Sequence, residues 1–239
     1  GGHKTLADTG ASGAFLMNAE TLGIDLDQVD TVIISHGHYD HAGGLLAFAE
    51  RNPKARIWIN GLAGEQYYHK NDAMERYIGM DPRIKALPQV EWVEGDREID
   101  QGIFLFGRAL GRRLWPDGNR ELKVKTETGF RQDDFLHEQY LVLEERGKRV
   151  LISGCAHNGD RYHELFKGYP ELVISGFHLA RTDAYTGEDI RVIQNIAREL
   201  LKTGALCYMG HCTGPEAFAI MKEIMGERLV YVHSGEQVL

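Results

Sequence analysis

The stretch His36-Gly37-His38-Tyr39-Asp40-His41 places three imidazoles and one carboxylate within six residues. It directly follows the apolar run 31–34, which predicts a buried strand, and it precedes the apolar run 45–49, which predicts a helix. Imidazole nitrogens and carboxylate oxygens are ligands that zinc and similar divalent metals bind in proteins. The stretch therefore predicts a metal site at a strand-to-helix junction.

The spacing within this stretch favours two metal ions rather than one. His36 and His38 stand two residues apart after the strand, and extended backbone directs alternate side chains to one side. Asp40 and His41 follow at the turn into the helix, where they can face a second point nearby. We expect Asp40 to be the catalytic residue, which orients a metal-bound hydroxide and accepts its proton.

Size and composition limit the classes of protein to consider. The chain has 239 residues, of which 43% are apolar, and this suits a single α/β domain over 1–239 with a large core. Its 27 basic and 35 acidic residues give a net charge of −8, which argues against a nucleic-acid partner or an anionic membrane. We expect a small-molecule substrate, phosphorylated or not, and we leave homo-oligomer formation open.

The cysteines and the chain start bear on cellular location. The three cysteines, Cys155, Cys207 and Cys212, form no C-x-x-C pair, so neither a disulfide framework nor a zinc ribbon is indicated. A reducing, cytoplasmic setting is expected. No apolar run approaches the roughly 20 residues that a membrane span needs. The start at Gly1-Gly2-His3 lacks a signal-peptide pattern, and it suggests that an N-terminal segment with further strands is missing.

Strand and helix patterns alternate along most of the chain, as is typical of an α/β fold. Residues 139–144 and 148–153 predict a hairpin, and two capping-box patterns, at 186–189 and 213–216, predict helix starts. The stretch from about 60 to 135 is less regular and is interpreted as an insertion or lid, with a polar helix predicted over 65–77. The remaining predicted strands are 4–7, 31–35, 55–59, 90–93, 103–106, 172–175, 205–209 and 229–232, and the remaining predicted helices are 14–22 and 45–51.

Three later strands each end in a glycine that a histidine follows closely. If the sheet is mostly parallel or mixed, its strand ends bring these imidazoles to one edge. A lone histidine is more often an ordinary surface or core residue, but the repetition of the same placement favours ligands. The three segments are Gly154-Cys155-Ala156-His157, Gly176-Phe177-His178 and Gly210-His211-Cys212.

Together with Asp8-Thr9-Gly10, these motifs resemble the metallo-β-lactamase fold over nearly the whole chain. The resemblance implies an αββα sandwich of two mixed sheets, with the metals at one edge. Within that superfamily, the segments 18–26, 35–41, 153–157, 176–179 and 210–214 are similar to one branch. That branch comprises proteins like the 7,8-dihydropterin-6-methyl-4-(β-D-ribofuranosyl)-aminobenzene-5′-phosphate synthase.

The resemblance implies a ligand set with one position left open. It makes metal ligands of His36, His38, Asp40, His41 and His211. The superfamily also uses a third histidine and a bridging Asp, and this chain has Gly154-Cys155 where that Asp is usual. We favour His157 as the remaining ligand, with Cys155 and His137 as competitors.

Three further residues have predicted supporting roles. His178 is a further ligand or a substrate contact. Asp8 is expected in the second shell, where it fixes a ligand imidazole or its loop, although a plain turn-forming role is equally consistent with Asp-Thr-Gly. Thr213 is expected to cap the helix behind His211 and so to position that ligand.

The expected activity is dinuclear metal-dependent hydrolysis of an ester or phosphate-containing small molecule. Two Zn²⁺ ions are the expected cofactors, with iron or manganese as alternatives. One alternative is the branch's synthase chemistry, in which the metals hold the pyrophosphate of a dihydropterin substrate. Another is a non-catalytic metal-binding or sensory module.

The insertion holds residues that could select a phosphorylated or flat substrate. Arginines could clamp a phosphate, and aromatic rings could stack on a planar group. A solvated, flexible loop is the favoured interpretation of the same residues. They are Arg108, Arg112, Arg113 and Arg120, with Trp115, Tyr67 and Tyr68.

Overall fold

The computed structural model describes residues 2–107, 115–157 and 170–238. The strands are β1 (Thr5–Ala7), β2 (Thr31–Ile34), β3 (Arg56–Asn60), β4 (Tyr67–Lys70), β5 (Glu75–Tyr77), β6 (Val90–Val93), β7 (Arg97–Asp100), β8 (Ile103–Gly107), β9 (Leu122–Thr126), β10 (Gly129–Gln132), β11 (Gln139–Glu145), β12 (Lys148–Ile152), β13 (Leu172–Ser175), β14 (Leu206–Met209) and β15 (Leu229–Tyr231). The α-helices are α1 (Ala14–Thr21), α2 (Tyr39–Ala42), α3 (Leu45–Arg51), α4 (Gly187–Thr203) and α5 (Pro215–Met225). Within the described ranges, no helix combines the length and apolar character that crossing a bilayer requires.

The chain divides into two compact units. The first unit comprises Gly1–Arg97 and Glu121–Gln139, and the second comprises Glu98–Arg120 and Tyr140–Leu239. The stretch 36–41 belongs to the first unit. The three later histidines at strand ends belong to the second unit.

A parallel sheet in the order β1-β2-β3-β6 forms the core of the first unit. Strand β2 pairs with β1 on one side and β3 on the other, and all four of its residues are buried. Helix α3 covers the sheet through Leu45 and Phe48, which are fully buried. This packing fixes the carboxyl end of β2, from which the chain enters Ser35 and His36.

The helix predicted over 65–77 is wrong, because this stretch forms the antiparallel pair β4 and β5 of a second sheet, β10-β9-β4-β5. The side chain of Asn71 accepts hydrogen bonds from the backbone N–H groups of Ala73 and Met74, at 3.0 and 2.9 Å. Such an Asx turn competes with helix formation. The tyrosines Tyr67 and Tyr68 favour the strand that precedes it.

The second unit is built on a mixed sheet in the order β15-β14-β13-β12-β11-β8-β7. Strands β12 to β15 run parallel, and β11 and β12 form the predicted antiparallel hairpin. Its turn residues, Arg146 and Gly147, both have positive φ angles, of 54° and 77°. The predicted capping box of α4 is also confirmed, since Thr186 and Asp189 bond each other's backbone N–H groups.

The second predicted capping box is wrong. Gly214 precedes α5 as its N-cap residue, and no side chain caps this helix. Thr213 lies one residue earlier, in a short 3-10 turn, and its fully buried hydroxyl has no hydrogen-bond partner among the described residues. Thr213 therefore does not position His211 by capping this helix, because Gly214 is the N-cap residue and Pro215 follows it in the first turn.

Candidate metal centre

The first unit brings three imidazoles of the 36–41 stretch together. His38 keeps extended backbone geometry (φ −89°, ψ 148°) just before α2, and His41 lies inside that short helix. The ring centroids of His36 and His38 are 4.6 Å apart, and those of His36 and His41 are 4.1 Å apart. All three residues are at most 5% exposed. The half-buried carboxylate of Asp40 lies 3.7 Å from Nε2 of His41.

Asp8 and Ser35 hold two of these imidazoles in position. Asp8 accepts hydrogen bonds from the Ser35 backbone N–H at 2.7 Å, from the Ser35 hydroxyl at 2.8 Å and from Nδ1 of His41 at 2.7 Å. Because the Ser35 hydroxyl donates to Asp8, its oxygen accepts from Nδ1 of His36, 2.9 Å away. Asp8 thus makes the contact that its predicted supporting role requires.

These hydrogen bonds define which ring nitrogen can bind a metal. With the proton on Nδ1, the lone pair of His36 and of His41 is on Nε2. A carboxylate behind a ligand imidazole also raises its basicity and fixes its orientation. The donor set of His36, His38, His41 and Asp40 therefore fits a divalent transition metal.

A second buried pair supports the loop between His36 and His38. Nε2 of His137 donates to Oδ2 of Asp133 at 3.1 Å, and Nδ1 of His137 accepts the backbone N–H of Gly37 at 2.9 Å. Both ring nitrogens of His137 are thus used within the protein. His137 therefore positions the loop at Gly37, and its alternative role as a ligand stays a prediction, since His38, Asp133 and His137 also form a group that could hold a metal ion.

Burial and this pair shift two pKa values. Burial lowers the pKa of His38, against the opposing effect of Asp133, whose Oδ2 is 3.8 Å from Nε2 of His38. Burial opposes ionisation of Asp133, but the electrostatic attraction and hydrogen bond of His137 outweigh it and hold the pKa of Asp133 well below its ordinary value. His38 is therefore neutral, as a metal ligand must be, and Asp133 is ionised.

In the second unit, Asn119 orients His157. Nδ1 of His157 donates to Oδ1 of Asn119 at 2.8 Å, and Nδ2 of Asn119 donates to the backbone carbonyl of His157 at 2.9 Å. Both residues are fully buried. His157 thus has its lone pair on Nε2, the same tautomer as His36 and His41, although its part in metal binding stays a prediction.

Cys155, His178 and Cys212 lie together at the ends of β12, β13 and β14. Their ligand atoms are all within 4.8 Å of one another. Burial alone would raise the pKa of the Cys212 thiol, but hydrogen bonds with Cys155 and His178 bring that pKa well below its ordinary value. His211 precedes Cys212 in a 3-10 turn, is exposed and has a positive φ angle of 49°.

A cavity of about 320 Å³ opens beside His178 within the second unit. Two of its arginines are paired with carboxylates: Arg120 with Asp117 at 2.7 Å, and Arg181 with Asp189 at 2.8 Å. The cavity is lined by Trp115, Pro116, Asp117, Gly118, Arg120, His178, Leu179, Arg181, Tyr185, Thr186, Glu188, Asp189, Val192 and Ile193.

The predicted substrate-binding insertion is only partly described. Arg120 and Trp115 line the cavity, whereas Arg108, Arg112 and Arg113 lie outside the described residues. Tyr67 fits neither the favoured interpretation as part of a solvated loop nor the alternative of stacking on a substrate, because its ring is 1% exposed and its hydroxyl donates to the Leu62 carbonyl.

Sequence reasoning missed three residues that orient histidines. Ser35 directly precedes His36, so its hydroxyl could have been recognised from the sequence as a hydrogen-bond partner. Asp133 stands four residues before His137, which is a weaker signal. Asn119 lies in a short 3-10 helix, 38 residues from the histidine that it binds, and no sequence pattern marks it.

Comparison with known proteins places these features in one family. A family model described as the metallo-beta-lactamase superfamily matches residues 1–119. The solved structure of Tm1679, described as a metal-dependent hydrolase of the beta-lactamase superfamily, is 34% identical with a TM-score of 0.81, and the match covers 98% of this chain and 87% of that one.

Two relatives from Methanocaldococcus jannaschii are more distant. The 7,8-dihydropterin-6-methyl-4-(beta-D-ribofuranosyl)-aminobenzene-5′-phosphate synthase is 27% identical over 92% of this chain and 79% of its own length. The uncharacterized protein MJ0448 is 26% identical over 98% of this chain and 87% of its own length. The mixed sheets and flanking helices are those of the α/β metallo-β-lactamase fold. The chain therefore belongs to the metallo-β-lactamase superfamily and is a metal-dependent hydrolase of that superfamily.

Proposed function

We propose that this hydrolase uses two divalent metal ions, with zinc first among the candidates, to cleave an ester bond in a small molecule. The observation that carries the proposal is the convergence of His36, His38, His41 and Asp40 in the first unit. Bound divalent ions supply Lewis acidity, which lowers the pKa of water and polarises a carbonyl or phosphoryl oxygen.

The residues of the first unit have separate tasks in this proposal. His36, His38 and His41 hold metal through Nε2, and Asp8 and Ser35 keep the proton of His36 and His41 on Nδ1. Asp40 is the only one of the four ligands whose side chain is substantially exposed, at 37%. Its carboxylate can therefore hold and accept a proton of the attacking water. His157 and His211 remain proposed ligands on the superfamily resemblance.

Bound divalent ions can polarise both carbonyl and phosphoryl oxygens, so the proposed centre suits more than one class of ester. The net charge of −8 disfavours strongly anionic substrates over the chain as a whole. We propose carboxylic esters as the first substrate class and phosphodiesters as the second.

Hydrolysis of chromogenic substrates tests the proposal. Protein loaded with Zn²⁺, Mn²⁺ or Fe²⁺ is assayed with p-nitrophenyl esters and with bis(p-nitrophenyl) phosphate. We expect ester turnover that His36→Ala abolishes, and that Asp40→Asn lowers by at least about 100-fold. His233→Ala is the matched control, because His233 is an exposed histidine bonded only to the neighbouring Glu236 in the described contacts.

The synthase of Methanocaldococcus jannaschii supports a second candidate, transfer of a dihydropterin group with loss of pyrophosphate. Incubation with a dihydropterin pyrophosphate and an arylamine, followed by pyrophosphate detection, distinguishes the two. Pyrophosphate release without ester turnover would replace the hydrolase proposal. If the loaded protein does neither, and His36→Ala removes only metal, a metal-binding module is the function.

Cellular location and partners stay proposals. The net charge of −8 supports a small-molecule substrate over nucleic acid. The low cysteine content supports a reducing, cytoplasmic setting. Homo-oligomer formation is testable by the mass of the protein in solution.

A further inference from the structure

The second unit gathers two thiols and an imidazole at one edge of its sheet. Strands β12, β13 and β14 are neighbours and run parallel, so their carboxyl ends meet at the same edge. Cys155 follows β12, His178 follows β13 and Cys212 follows β14. The topology therefore brings together three residues that are up to 57 positions apart in the sequence.

Their ligand atoms lie close enough together to bind one metal ion after small movements of the side chains. Sγ of Cys155, Sγ of Cys212 and a ring nitrogen of His178 lie within 4.8 Å of one another. The backbone N–H of His178 also donates to Sγ of Cys212 at 3.1 Å. Cys155 is buried, whereas the other two side chains are half-buried. Ions could therefore reach the cluster from the side of His178.

The backbone around the cluster is held in costly conformations. Ala156, His178 and His211 have φ angles of 43°, 46° and 49°, in the left-handed region. Non-glycine residues in this region are strained and concentrate at functional sites. Gly176 lies against the cluster, and a Cβ at this position would lie 2.6 Å from Sγ of Cys212. The absence of a Cβ at Gly176 thus leaves the room that Cys212 needs beside its neighbours.

We propose that Cys155, His178 and Cys212 form a metal site of the second unit that takes a thiophilic ion, Zn²⁺ in the cell. Two sulfur ligands and one imidazole select zinc or copper(I) over magnesium, calcium and manganese. Three protein ligands leave the fourth position of a tetrahedral ion open. Because His178 also lines the 320 Å³ cavity, that position is available to a small ligand bound there.

Cys155 and His178 are also alternative residues of the predicted hydrolase centre, so the experiment must separate the two assignments. None of the three proposed ligands belongs to the 36–41 stretch, and His36→Ala leaves all three in place. Hydrolysis and sulfur ligation can therefore fail separately. A protein that hydrolyses no ester can still bind metal through Cys155 and Cys212.

Cobalt(II) reports sulfur ligation directly. Cobalt bound to thiolate shows a sulfur-to-metal charge-transfer band in the near ultraviolet, which imidazole and carboxylate ligands do not produce. Titration of the metal-free full chain is expected to give this band, and added Zn²⁺ is expected to remove it. Cys155→Ala and Cys212→Ala each lower its intensity by about half or more, and His178→Ala weakens cobalt affinity by more than about tenfold.

The third cysteine of the chain supplies a matched control. Cys207 lies on β14 in the same unit and is fully buried, but it belongs to no metal-ligand group of the described residues. Cys207→Ala is therefore expected to keep the full band. His36→Ala is also expected to keep it. Loss of the band in His36→Ala would assign the sulfurs to a metal held by the first unit, and would overturn the proposal.

A measurement on the unmutated protein covers the event that a variant does not fold. Thiol alkylation is followed residue by residue by mass spectrometry, with and without Zn²⁺. We expect zinc to slow alkylation of Cys155 and Cys212 together by at least about tenfold, without an effect on Cys207. Cobalt binding without a sulfur band, a full band in a folded Cys212→Ala variant, or unchanged alkylation rates would each refute the site.

Discussion

Asp133→Asn tests how the first unit supports its candidate metal ligands. Asp133 is fully buried. Its Oδ1 accepts the backbone N–H of Phe135 at 2.8 Å, and its Oδ2 accepts Nε2 of His137 at 3.1 Å. The substitution keeps the shape of the side chain and replaces one oxygen by an NH₂ group. The acceptor that His137 needs is then lost.

No rearrangement restores this hydrogen bond. With Oδ1 still facing Phe135, the new amide N–H group faces the N–H of His137. If the amide rotates, it faces the N–H of Phe135 instead. If His137 moves its proton to Nδ1, that proton faces the backbone N–H of Gly37, now 2.9 Å from Nδ1. Each alternative places two buried donors against each other.

The cost follows from these contacts. A hydrogen bond to a charged group contributes about 1.5–3 kcal/mol, and a buried donor left without an acceptor costs about 1–3 kcal/mol. We expect a loss of about 3 kcal/mol in the free energy of unfolding. For a chain of this length, that corresponds to a fall in Tm of roughly 6–12 °C.

Thermal unfolding of the metal-free protein, followed by circular dichroism, measures this change. Asp134→Asn is the matched control, because Asp134 is 41% exposed and pairs with Arg131 at 3.1 Å at the surface. Such a pair contributes less than about 1 kcal/mol. Competition with a chelator measures zinc affinity, which Asp133→Asn should lower by about tenfold or more. Equal Tm shifts for the two variants would refute the reasoning.

Three further variants test other contacts. Gly37→Ala should abolish stoichiometric metal binding, measured by elemental analysis, because its Cβ would lie 2.4 Å from the Ala63 carbonyl oxygen. The Cβ of Gly187→Ala meets no atom within 4 Å, so this control variant should keep its metal. Full metal content in Gly37→Ala would contradict the reasoning. Thr186→Ala removes the capping box of α4 and should cost about 1 kcal/mol in urea unfolding, with Thr186→Ser near wild type; an unchanged midpoint would show that the cap contributes nothing. Burial lowers the pKa of His38 in the folded, metal-free protein. Below about pH 6.5 the unfolded chain therefore binds a proton that the folded chain does not, and the free energy of unfolding should fall as the pH drops. His38→Gln should flatten this slope between about pH 6.5 and 5, and an equal slope in both proteins would show that His38 is not its cause.

The sequence patterns predicted most elements because the hydrophobic periods are local. The hairpin β11–β12 and the start of α4 each depend on residues within a few positions, and both are confirmed. The failures at 65–77 and at Thr213 are also local. In the first, the Asn71 turn ends the strand β4, and in the second Gly214 takes the N-cap position.

The support of the candidate site could not be predicted in the same way. Hydrogen bonds join Asp8 to His41 across 33 positions, and His137 to Gly37 across 100. Only the folded chain brings such partners together, because their spacing follows no period of a helix or strand. The 36–41 stretch identifies the candidate ligands, but not the groups that set their protonation.

A shared protonation state supports the proposal that these histidines bind metal. His36 donates from Nδ1 to a hydroxyl, His41 to a carboxylate and His157 to a side-chain amide oxygen. The three partners differ in chemistry, yet each leaves the imidazole lone pair on Nε2. Buried histidines that only fill a core have no need of one common tautomer. Because the protein itself sets this tautomer, metal binding requires no proton to move within these rings, and the ligands are oriented before an ion arrives.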